Sequence, residues 1–250
     1  MTVIEQTTAT KRVPMSSLRK TALIAGMLYV LTFASIPTLS LYAPVLTDPN
    51  YIGGPGPDTP ILIGAVLEVI VALAGIGTAV ALYPVVKRQN QGVALGFVGT
   101  RVLEAAGLLA GVVSLLSVVT LRQSGAGAAG MITAHALVAH YGWSFLLSGS
   151  LMPVLNAVLL GSLLYRSRLV PRVLPLLGLI AAPLLLASDF AVLFGLWDRV
   201  SAPSVIAALP IAVWEFSLGV YLIVKGFRPS RITTGMVGAN ARPAYQDVTV

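Results

Sequence analysis

The chain contains no cysteine, only two histidines, and few charges: Lys, Arg, Asp and Glu make up 10% of its 250 residues. The missing cysteine excludes disulfides, thiol catalysis and thiolate-ligated metals. The histidines, His135 and His140, stand five positions apart, about 140° around a helix of 3.6 residues per turn. A zinc-binding helix places its ligands four apart. His135 and His140 are therefore poor metal candidates, and a metallohydrolase built from them with Glu68 or Asp189 is the weaker reading. There is no glycine-rich phosphate loop. Leu147-Ser148-Gly149-Ser150 is not a nucleophile elbow, which needs Gly-x-Ser-x-Gly after a strand. No cofactor and no catalytic residue is implied.

The scarcity of charge decides the class. Soluble domains carry about 25% charged residues, whereas this chain is 56% hydrophobic and reads as a polytopic membrane protein. Its net charge of +7 does not point to nucleic acid, because the basic residues are confined to segments that alternate with apolar runs. Thirteen of the sixteen lie in four such segments, the exceptions being Arg101, Arg122 and Arg199. That alternation is what the positive-inside rule produces.

The expected fold is an all-α bundle of six transmembrane helices in the cell membrane, with both termini cytosolic. The spans are placed at about 21–43, 61–86, 92–121, 143–165, 173–197 and 204–224. They make one membrane domain over 18–227, flanked by disordered tails at 1–17 and 228–250. The proline- and glycine-rich loop 44–60 is placed outside. Residues 131–142 are read as an amphipathic lead-in to the fourth span, since about 20 residues suffice to cross a bilayer core.

Several charges fall inside the spans. Gly92–Gly111 (GVALGFVGTRVLEAAGLLAG) is apolar yet carries Arg101 and Glu104, three residues apart and so on nearly one side of a helix. Gly92, Gly96, Gly107 and Gly111 form a neighbouring ridge on which other helices can approach closely. Glu68 sits on a stripe with Gly64, Ala72, Gly75 and Ala79, Asp189 with Gly178, Ala182 and Leu185, and Glu215 with Ala208 and Gly219. A charge at the centre of a span costs roughly 2.5–3.5 kcal/mol on insertion scales, so these groups are expected to face the bundle interior.

At a rise of ~1.5 Å per residue, Glu68 and Asp189 lie roughly 10–12 Å, and Glu215 about 16 Å, from the outer ends of their spans, with Arg101 and Glu104 near the midplane. Glu68, Arg101, Glu104, Asp189 and Glu215 are therefore expected to share one pocket, with Asn156 as a sixth member. One arginine then faces four carboxylates. It can hold one or two of them; the others must be protonated, hydrated or matched by a cation from outside.

Four strings carry a family resemblance: LIGAVLEVIVALAGIGTAVALYPVVKRQN (Leu62–Asn90), TRVLEAAGLLAGVVSLLSVVTLRQ (Thr100–Gln123), LLYRSRLVPRVLPLLGLI (Leu163–Ile180) and WEFSLGVYLIVKGFRPS (Trp214–Ser230). Together they resemble the bacterial membrane-protein family catalogued as domain of unknown function 4386. The resemblance covers about Leu18 to Pro229 and implies a polytopic helical membrane domain with no established activity. Glu68, Arg101, Glu104 and Glu215 stand inside the matching strings, and no catalytic role comes with them.

Three functions follow from these expectations. The leading one is a bilayer-embedded protein whose pocket binds, senses or passes a small cation, a proton or an amine-bearing solute. The second is a membrane-embedded enzyme acting on a lipid or small molecule. The third is a structural or accessory subunit whose charges only hold the bundle together.

Overall fold

The computed structural model describes residues 15–54 and 56–234. The tail assignments at 1–14 and 235–250 lie outside the described residues. Among the described residues there is no strand, and six helical stretches are long and apolar enough to cross a membrane. Leu62, Val66, Leu73 and Val80 of one helix, and Leu103 and Val113 of the next, are exposed on the perimeter. An apolar perimeter of this extent needs lipid rather than water around it. The chain is an integral membrane protein.

Helix α1 (Ser17–Leu31) starts at Ser16, whose Oγ accepts from the Arg19 amide at 3.3 Å. It does not run on to residue 43 as expected. Thr32–Ser35 tightens into a 3₁₀ turn, followed by two short helices, α2 (Thr38–Leu41) and α3 (Ala43–Thr47). The hydroxyls of Thr32, Ser35, Thr38 and Ser40 each donate to the carbonyl three residues back. Such side-chain bonds compete with the regular ladder, and Pro37 removes a backbone donor at the same place.

Helices α4 (Thr59–Val86) and α5 (Gln91–Gln123) form a long antiparallel pair. Asn90 caps α5, its Oδ1 accepting from the Val93 amide at 3.0 Å. Helix α6 (Gly127–Ser144) packs along α5 and continues through a π-helical turn, Phe145–Ser150, into α7 (Leu151–Ser167). The expected lead-in at 131–142 thus lies within the first half of a helical stretch 41 residues long. Helices α8 (Val173–Leu193) and α9 (Ala202–Val224) complete the bundle.

Neighbour contacts run α1–α4–α5–α7–α8–α9 and back to α1, so the helices close a ring. Two apolar clusters fill it. One, around Leu82, Phe97, Leu160, Trp214 and Leu218, occupies the end from which α1 starts and at which α9 finishes, hereafter the terminal end. The other, around Tyr42, Ile61, Leu115 and Tyr141, lies beneath the 44–60 loop. The terminal end is closed by the chain itself. Arg19 donates to the carbonyls of Leu222, at 2.8 Å, and Ile223, the last turn of α9. Residues 228–234, assigned to a tail by the sequence reading, bind back onto the bundle: the Arg228 amide donates to Leu169 O at 2.7 Å, and Ser230 Oγ to Ser167 O at 2.5 Å.

Candidate functional site

Between the two apolar clusters lies a cavity of about 360 Å³. Its walls come from the broken end of the first span (Thr32–Leu39) and from α4, α5, the π-helical turn, α8 and α9. Glu68, Arg101, Glu104, Asp189 and Glu215 all line it. Asn156 lies behind the wall, fully buried, and joins through Glu104. The rest of the lining is mostly apolar, including Phe33, Leu108, Leu185 and Ile211.

The deepest part is an arginine clamp. The first NH₂ group of Arg101 donates to both carboxylate oxygens of Glu104 at 3.1 Å, one turn along the same helix. The second donates to Glu215 Oε1 on α9 at 2.6 Å and to Tyr29 Oη on α1 at 3.4 Å. Asn156 Nδ2 donates to Glu104 Oε2 at 2.6 Å, and Thr100 Oγ1 donates to Asn156 Oδ1 at 2.5 Å. The guanidinium also lies over the rings of Tyr29 and Phe97, 5.4 and 5.8 Å from their centroids. One cation therefore ties α1, α5, α7 and α9 together. Only 2% of its side chain is exposed, against 12% and 13% for Glu104 and Glu215.

The other two acids are held less completely. Glu68 Oε1 accepts from Tyr141 Oη at 3.2 Å, while Oε2 is buried without a hydrogen-bond partner among the described residues. Arg199 and the Tyr42 hydroxyl lie near this carboxyl; the hydroxyl is itself buried without a hydrogen-bond partner among the described residues, so it is the one local donor that a small shift would bring to Glu68. Asp189 Oδ1 accepts from Ser150 Oγ at 2.5 Å, and its Oδ2 is likewise buried and unpartnered among the described residues. Each carboxyl thus presents one satisfied and one unsatisfied oxygen. Leaving a buried acceptor unpaired is costly, so the arrangement suits a donor arriving from elsewhere.

Arg199, one of the three basic residues outside the four basic segments, was not expected in the pocket; it sits in the short turn between α8 and α9 and lines the cavity. Its guanidinium lies over the rings of Phe145 and Tyr141, 4.7 and 5.7 Å from their centroids. The cavity therefore holds two arginines against four carboxylates. Sequence reasoning also passed over Tyr29, Tyr141 and Thr100, and weighed Ser150 only within the Leu147–Ser150 string. Tyr29 had a usable signal, since it lies mid-helix rather than at the interfacial level where tyrosines collect.

The histidines go separate ways. His135 Nε2 approaches Pro49 O at 3.2 Å, and His140 Nδ1 approaches Ser114 Oγ at 2.8 Å. Among the described residues no group of three or more His, Cys, Asp and Glu could hold a metal.

At the loop end a third ion pair joins the end of α5 to the residue preceding α4. Arg122 Nε donates to Asp58 Oδ1 at 2.7 Å, and a terminal nitrogen of Arg122 donates to Oδ2. Gln123 Nε2 and Tyr51 Oη add bonds of 2.9 and 2.7 Å to the same carboxylate. The Arg122 hydrogen bonds hold the Asp58 carboxyl well below its ordinary value, to about 2. Tyr51, donating to Asp58 from a desolvated position, is pushed up to about 12.

A family model described as "Domain of unknown function (DUF4386)" matches residues 24–226, a stretch that contains every charged group lining the cavity. No curated protein and no solved structure matches the chain.

Proposed function

The chain belongs to the DUF4386 family, and from that premise we propose that its intramembrane cavity binds a small amine-bearing solute. The observation that carries this reading is the pair of buried carboxylate oxygens, Glu68 Oε2 and Asp189 Oδ2, unpartnered among the described residues in the wall of one cavity. An ammonium group brings two or three donors, and neither of those oxygens accepts a hydrogen bond among the described residues. The cavity volume, about 360 Å³, and its apolar walls favour an organic amine over a bare inorganic cation or a proton alone. A bare cation would find few ligands beyond the two acids.

The Arg101 clamp has a different role in this reading. Its guanidinium is bonded to both neighbouring acids, so it positions α1, α5, α7 and α9 and forms the cavity floor. The basic residues of Ser17–Lys20, Lys87–Arg88, Arg166–Arg172 and Lys225–Arg231 support, by the positive-inside rule, a cytosolic location for the terminal end of the bundle in the cell membrane. The cavity then belongs to the outer half of the bilayer.

A liposome flux screen tests this reading. Purified protein is reconstituted with a proton-sensitive dye and offered methylammonium, ethanolamine, agmatine, sodium and potassium in turn. Saturable, protein-dependent movement of at least one amine, lost in the Glu68→Gln/Asp189→Asn variant, is the expected result. Movement of sodium or potassium in preference to every amine would contradict it.

A further inference from the structure

Asp189 forms part of two walls at once. On one side it lines the main cavity. On the other it lines a crevice of about 50 Å³ formed by Leu146, Leu147, Leu151, Leu186, Phe190 and Leu193. Leu147, Phe190 and Leu193 are 54%, 50% and 46% exposed on the lipid-facing perimeter, whereas Leu146 is 4% exposed and lines both spaces. The crevice therefore leads from the bilayer to the carboxyl group. It lies where the α6–α7 stretch turns π-helical over Phe145–Ser150. A π turn inserts a residue into the helix and is frequent at functional sites. Here its last residue, Ser150, holds Asp189 Oδ1, leaving Oδ2 without a partner among the described residues and the residue 8% exposed.

We infer that this crevice is a lateral entrance and that the solute is an amphiphilic amine. Its headgroup binds at Asp189, and its aliphatic tail lies between the π-helical turn and the end of α8. This inference rests on the cation-binding reading of the cavity and adds the route and the second half of the solute. Three physical points support it. An ammonium group is costly at membrane depth and is accommodated there only beside a counter-charge. A tail leaving lipid for a leucine-lined crevice exchanges one apolar surroundings for another and loses nothing. Asp189 stands four residues, roughly 6 Å, from the end of α8. A headgroup anchored at the interface therefore reaches it after a short descent.

The test uses the full-length protein in phosphatidylglycerol nanodiscs. The probe is a dodecylamine carrying a diazirine at the tail end, and the control is the corresponding dodecanol. Irradiation is followed by peptide mapping. The amine is expected to label residues 146–151 and 186–193 about tenfold more than the alcohol does, the ratio set by one charge-assisted contact. Asp189→Asn should bring amine labelling down to the alcohol level. Leu147→Trp fills the crevice from its exposed side, so it should block labelling while leaving calorimetric binding of butylammonium unchanged.

Equal labelling of Leu103 and Val113 on the lipid face of α5 would overturn the inference. So would Asp189→Asn labelling like wild type. If butylammonium binds but labelling of the crevice does not depend on the amine, the lateral route fails and the cavity reading stands. If butylammonium does not bind, both fail.

Discussion

At the scale of single residues, the guanidinium of Arg101 reaches Glu104 and Glu215 at once because its two NH₂ groups point along different edges of a flat fork. Lysine could not replace this geometry. Arg101→Met is expected to destabilise the folded protein by about 3 kcal/mol or more, as does breaking other buried pairs from one side. Glu104→Gln leaves Glu215 in place and should cost about 1 kcal/mol, the scale of one hydrogen bond. Melting in detergent ranks the two; equal, wild-type-like melting of Arg101→Met would place the side chain in water. Asp58 gives a pH-dependent prediction outside the spans. Its carboxyl is lowered from 3.8 to about 2, so its contribution to stability is fully present above the ordinary value and lost as pH falls through the lowered one. Asp58→Asn should melt below wild type at pH 7, and the gap should close between about pH 4 and pH 2, within the window that the shift defines. A gap independent of pH would mean that the Arg122 contact is not formed. The intramembrane acids were legible in the sequence because each interrupts an apolar run on a stripe of small residues. Arg199 was not, because a basic residue in a short turn has the same appearance whether it faces water or folds back over Phe145.

At the scale of elements, the glycine ridge of α5 divides. A Cβ at Gly107 would collide with Ser148 of the π-helical turn, and one at Gly111 would meet Tyr141 at 3.1 Å. At Gly96 the nearest atom is Leu159 Cδ1 at 3.7 Å, and at Gly92 only Asn90 is close. The half of the ridge next to the cavity is therefore where the backbones crowd, and the half at the terminal end has space. Gly107→Leu should lower folded yield in detergent far more than Leu109→Ala, because Leu109 is 36% exposed on the perimeter and an overpacked contact between helices cannot relax. Similar yields from the two variants would show that α5 does not press on Ser148. The apolar runs announced six helical stretches long enough to cross a membrane. They did not reveal the break after Leu31, which depends on four hydroxyls bonding backwards near Pro37. Nor did they reveal the continuity of residues 127–167, because length alone cannot separate a tilted or interfacial lead-in from a long helix.

At the scale of the whole molecule, the ring of helices closes one end with Arg19 and the 228–234 segment and leaves a cavity toward the other. The distribution of basic residues predicts the orientation. With cysteines placed at Ser17, Thr59 and Thr234, an impermeant thiol reagent is expected to label only position 59 in intact cells. Labelling at 17 or 234 before lysis would reverse the assignment. The central claim, that the two half-satisfied acids make the cavity a cation site, is tested most directly by calorimetric titration of butylammonium into the purified protein. Wild type should show one saturable site, retained in Leu147→Trp and lost in Glu68→Gln/Asp189→Asn. Binding that is equally strong in the double acid variant, or absent from wild type, would contradict the account.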